Sequence, residues 1–176
     1  MKKIITILAV VGMFSLQGCT GPEGPPGRDG FDGLMPKAFD IKNQDLFRVD
    51  DNFYSVSNTF KDEVVGSDLY GTDTILIYRL SDNSNPNLPV WQLIPRTIYF
   101  SNDDELDYDF NFTSKGYTII ANGNYNLLNR PEYIKKQTFR VVIVPNDLLS
   151  SFNKNNYNEV MKVLNMKENQ IQKINF

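Results

Sequence analysis

Apolar and polar side chains alternate most clearly where Leu106, Tyr108, Phe110 and Phe112 take turns with Glu105, Asp107, Asp109 and Asn111. A period of two predicts a half-buried strand with one face on a core. Residues 73–80 are rich in β-branched and aromatic side chains, and residues 139–144 are apolar almost without a break, which predicts a central strand covered on both faces. Residues 53–60 and 117–121 read as further strands. Residues 90–100 read as one extended run in which Pro95, lacking an N–H, marks an edge or a bulge. Residues 81–87 are a loop by composition. After Pro145 the period changes: residues 147–152 suggest a helical turn, and Asn156 with Glu159 resembles a capping box ahead of Tyr157, Val160, Met161 and Leu164 at helical spacing. The pattern as a whole predicts a mainly β chain, an antiparallel β-sandwich of the Ig-like or a related kind, with a short helical region appended at the C-terminal end.

The first fifth of the chain follows other rules. Lys2 and Lys3 precede an apolar run over residues 4–14, interrupted by one polar residue, Thr6. A membrane-spanning helix takes about 20 apolar residues, so this shorter run reads as an export signal occupying residues 1–18. It leads into Leu16-Gln17-Gly18-Cys19, which resembles the lipobox of bacterial lipoproteins. Cys19 is then the lipidation site and the lipid bilayer a partner, since two acyl chains at about 0.8 kcal/mol per buried CH₂ suffice for stable anchoring. The competing reading is an ordinary secreted protein with an incidental cysteine.

Glycine then recurs at every third position, Gly18, Gly21, Gly24, Gly27, Gly30 and Gly33. The spacing is that of a collagen triple helix, whose crowded axis admits only hydrogen at each third residue. Residues 19–33 can serve as an extended spacer, about 37 Å long over the twelve residues of its four complete triplets at about 3.1 Å per residue, or as the seed of a homotrimer. The spacer is favoured, because so few triplets would close a triple helix only if the bodies were already associated. Residues 34–176 form the body, long enough to bury a core without disulfides or metals.

These features together resemble small lipoproteins of Bacteroidota that combine a lipobox, a brief collagen-like stub and a β-rich body of unassigned function. Residues 16–33 carry the resemblance, joined in the body by Val90-Trp91-Gln92-Leu93-Ile94-Pro95 and Phe139-Arg140-Val141-Val142-Ile143-Val144-Pro145. It implies a cell-envelope location on the outer membrane, and it supplies no catalytic residues. The face of the membrane stays open, since no dense acidic tract follows Cys19.

Composition narrows the chemistry. The chain has no histidine, and its single cysteine is Cys19. That excludes Ser-His-Asp and Cys-His catalysis, zinc sites built on His or Cys, and internal disulfides. The formal charge of −3 becomes more negative when Lys2 and Lys3 leave with the signal, so nucleic acid is not an expected partner. The candidate for metal chemistry is the acidic stretch containing Asp103, Glu105, Asp107 and Asp109, whose carboxylates are the hard oxygen ligands that Ca²⁺ prefers. The same stretch, with Asp104, would serve a metal-assisted or carboxylate hydrolase, and it equally fits the wet face of a half-buried strand. Trp91, Tyr99, Tyr108, Tyr117 and Tyr125 either form a platform for a glycan or protein ligand or belong to the core. Asp73-Thr74-Ile75 looks like the short O-glycosylation motif of Bacteroidota envelope proteins. The expectation is a membrane-anchored binding or structural module without catalysis of its own.

Overall fold

A computed structural model describes residues 37–60, 66–82, 84–85 and 88–176. The expected lipobox residues Leu16, Gln17 and Gly18, the expected lipidation site Cys19 and the collagen-like glycines Gly21, Gly24, Gly27, Gly30 and Gly33 lie outside the described residues.

Ten strands make two five-stranded sheets. The first contains β1 (Lys37–Gln44), β4 (Asp73–Asp82), β5 (Val90–Ile94), β9 (Gln137–Pro145) and β10 (Gln172–Asn175) in the order β10-β1-β9-β4-β5. The second contains β2 (Phe47–Arg48), β3 (Phe53–Thr59), β6 (Arg96–Tyr99), β7 (Glu105–Phe112) and β8 (Gly116–Gly123) in the order β2-β3-β8-β7-β6. The protein is a mainly β sandwich. All pairs are antiparallel except β1 with β10, which run parallel.

Period-two alternation decides which residues meet between the sheets. Phe39 and Ile41 of β1, Ile75 and Ile77 of β4, and Phe139, Val141 and Ile143 of β9 pack against Tyr54, Val56, Leu106, Tyr108, Tyr117, Ile119 and Ala121 of the other sheet. The alternate residues of the first sheet are buried too. Ala38, Leu76, Tyr78, Val142 and Val144 form a second apolar cluster with Phe152, Val160, Met161, Leu164 and Ile171. The C-terminal segment, with the short helical region the sequence predicts, is therefore a covering layer on the first sheet. Double coverage explains why β9 reads as an unbroken apolar run.

That covering layer begins with a 3₁₀ helix at Asn146–Ser151 and continues in α1 (Tyr157–Val163). The Asn156 side chain accepts from the Glu159 N–H at 3.3 Å, as an N-cap should. Glu159 does not return the bond to Asn156 but accepts from the Asn153 N–H at 3.2 Å, so the expected capping box is only half formed. Two further expectations change. The run 90–100 is two strands in different sheets, with Pro95 between them at the corner where the chain crosses over. Ser81 and Asp82, expected in a loop, continue β4. Among the described residues no helix is long and apolar enough to cross a membrane.

Candidate functional site

The core-facing positions of β4 run Ile75, Ile77 and Arg79. The first two fill the core; the third puts a guanidinium where the register calls for an apolar side chain, and Arg79 is only 8% exposed. On β9 the same face ends in Gln137, whose Oε1 accepts from Arg79 Nε at 2.8 Å. Gln137 is itself fixed, because its amide nitrogen donates to the carbonyls of Glu132 at 2.7 Å and Lys135 at 2.6 Å. From the other sheet the Tyr108 ring centre lies 4.7 Å from the Arg79 guanidinium carbon, and Tyr133 lies at 5.4 Å. The Tyr108 hydroxyl donates to the Tyr133 carbonyl at 2.5 Å. Burial pushes the pKa of Tyr108 up, and the positive Arg79 works against that rise. Two aromatic faces, the bond to Gln137 and a bond to Tyr108 thus hold the cation. Among the described residues no carboxylate comes within ion-pairing distance of it.

Arg79 lines two clefts. One, of about 520 Å³, lies between the β4–β5 pair and the edge strand β6 and is walled by Gln92, Arg96, Tyr99 and Glu132. The other, of about 630 Å³, runs past Asp82, Lys135 and Lys136. Both volumes fall in the range of small-ligand sites, roughly 300–1,000 Å³. Register places Gln92 opposite Arg79 and Arg96 opposite Tyr108, so these side chains share the inward side of their strands with Arg79. Lys135 and Lys136 of the second cleft are engaged by Asp45, which accepts from the Lys136 N–H at 2.9 Å and pairs with Lys135 at 3.1 Å; these bonds lower the Asp45 pKa.

A second buried arginine shows what full pairing looks like. Arg140, 2% exposed, donates through Nε and Nη2 to Asp40 at 2.6 and 3.0 Å, and through Nη1 and Nη2 to Glu168 at 2.6 and 3.0 Å. Trp91 lies 4.3 Å from its guanidinium carbon, and Arg140 also donates to the Tyr157 hydroxyl. Burial works against the charge on Arg140, but the two carboxylates outweigh it and the pKa rises. This cluster joins β1, β9, β5 and the C-terminal layer, and its role is to fasten them.

The acids singled out in the sequence are dispersed. Asp103 sits in the β6–β7 turn with a left-handed φ of 60°, and its carbonyl accepts from the Asn124 side chain at 3.0 Å. Asp104 pairs with Arg130 at 3.2 Å. Asp107 accepts from the Thr97 hydroxyl at 2.5 Å, and Asp109 from the following N–H at 2.7 Å, while Glu105 is exposed. Asp107 and Asp109 line a separate hollow of about 490 Å³ on the outer side of β7. Among the described residues no group of three or more carboxylates is placed to hold a metal ion. The aromatic residues are scattered as well. Tyr108 and Tyr117 are core, Trp91 packs on Arg140, Tyr125 packs against Phe100, and Tyr99 stands 72% exposed at the rim of the first cleft. Thr74 is half-buried within β4 opposite Val144.

No protein-family model matches the chain, and no curated protein and no solved structure matches it. Arg79 was within reach of sequence reasoning, because a charge two residues after Ile75 and Ile77 in a buried strand breaks the alternation.

Proposed function

We propose that this protein is a lipid-anchored lipoprotein of the cell envelope, held on the outer membrane through Cys19, whose sandwich is a binding module with its ligand site over Arg79. The observation that carries the binding role is a guanidinium nine-tenths buried, braced by Tyr108, Tyr133 and Gln137, and left without a carboxylate partner among the described residues. Removing such a charge from water costs several kcal/mol, and structural arginines recover it through ion pairs, as Arg140 does. A cation that faces a cleft without that recovery is placed to receive a ligand's negative charge. The binding role is favoured over hydrolysis because Asp104 and Asp107 already have separate partners, Arg130 and Thr97, and do not share a hollow with Asp103 and Glu105.

Cell fractionation tests the anchor: Cys19→Ala should move the protein out of the membrane fraction or leave the precursor uncleaved. A fully processed, membrane-bound Cys19→Ala protein would overturn it. A melting-temperature screen of saccharides and small organic acids tests the module. Stabilising compounds that lose their effect in Arg79→Met support the site, and compounds that stabilise both proteins equally place binding elsewhere.

A further inference from the structure

Resting on the binding-module reading, we infer that the cleft over Arg79 takes the carboxylate of a sugar acid of monosaccharide size. Three features lead there. The first is charge. Arg79 and Arg96 face the cleft with one acid, Glu132, which leaves a single net positive charge among its lining residues and suits a monoanion better than a phosphate dianion. The second is geometry. Nε of Arg79 is already committed to Gln137 and its side chain also bonds Tyr108, so the remainder of the guanidinium fork is what the cleft presents to an oxygen-bearing, planar acceptor. The third is the rest of the lining. Gln92, opposite Arg79 in register, offers an amide, and Ser81 lines the cleft with a hydroxyl that donates to the Val90 carbonyl at 3.1 Å and keeps its oxygen to accept from a sugar hydroxyl, while the exposed Tyr99 ring at the rim offers an apolar face to a pyranose. An apolar acid would offer these polar groups no partner. The volume of about 520 Å³ accepts one or two sugar rings.

The test is a titration of the ¹⁵N-labelled full chain in detergent with glucuronate, glucose and inorganic phosphate, following the Arg79 Nε–H and the Gln137 side-chain amide by NMR. The expected result is saturable shifts with glucuronate, at least tenfold weaker binding of glucose and phosphate, and no saturation in Arg79→Met over a tenfold higher glucuronate range. Arg96→Gln, at the exposed edge strand, keeps the test decisive if Arg79→Met fails to fold; it should weaken glucuronate several-fold. Equal binding of glucose and glucuronate would overturn the acid assignment while leaving a binding cleft. Phosphate binding as tight as glucuronate would replace it with a general anion site. No shift at either reporter with any of the three would remove both the assignment and the cleft as the ligand site.

Discussion

At the scale of single residues, the two buried arginines divide structural from functional charge. Arg140 faces a buried carboxylate, Asp40, and an exposed one, Glu168, whose side chain is 61% accessible. Arg140→Met would strand Asp40 as an unpaired buried charge, and urea unfolding should show a loss of about 3–5 kcal/mol. Glu168→Gln breaks only the exposed arm and should cost under about 1 kcal/mol. Burial raises the Glu168 pKa, but the hydrogen bonds from Arg140 and Tyr157 prevail and the net shift is downward. A carboxylate lowered by folding contributes stability above its unfolded pKa of about 4.3 and loses it as pH falls through the folded value. The stability difference between wild type and Glu168→Gln should therefore be constant at neutral pH and shrink toward zero below about pH 4. A difference that persists in acid would show that Glu168 acts through packing rather than charge.

At the scale of elements, alternation carried most of the information, and its failures have physical causes. β4, β7, β8 and β9 stand where the period of two or an unbroken apolar run predicted them. β1 went unread because Phe39 and Ile41 are its large apolar residues, and because Asp40 looks like a solvent position although its partner is the buried Arg140. β10 is held to β1 by parallel backbone pairing and carries little apolar signal of its own. Pro95 was legible as an edge residue, but a change of sheet depends on which strands the flanking residues find, and that is decided by the long-range pairs of β4 with β5 and of β6 with β7. A Cβ on Gly116 would meet the Asn58 carbonyl oxygen on neighbouring β3 closer than any real contact. Gly116→Ala should thus force the β3–β8 ladder apart at that end and cost about 1–3 kcal/mol in chemical denaturation, with faster amide exchange at Thr59 and Phe60. Asn156→Ala removes the cap on α1 and should cost about 1 kcal/mol.

At the scale of the whole molecule, the acidic stretch that drew attention in the sequence lies mostly on the exposed side of β7, where Asp107 and Asp109 accept from local donors and Glu105 faces outward. The site the fold assembles instead needs β4, β7 and the stretch from the 3₁₀ turn at Pro131–Tyr133 into β9, three parts of the chain distant in sequence. No local pattern could foretell that convergence, although the misplaced charge in β4 marked one member of it. The same fold therefore keeps one buried arginine fully paired to fasten its layers and leaves another facing a cleft. If Arg79 serves binding, the fold gains little by keeping it. Equilibrium urea unfolding of Arg79→Met in the absence of any ligand tests this most directly, because a buried charge removed for a side chain of similar length recovers desolvation and loses the bonds to Gln137 and Tyr108 and two ring contacts. The predicted result is a stability within about 1 kcal/mol of wild type, or above it. A loss of more than about 3 kcal/mol, comparable with Arg140→Met, would make Arg79 a structural fastener and contradict the account.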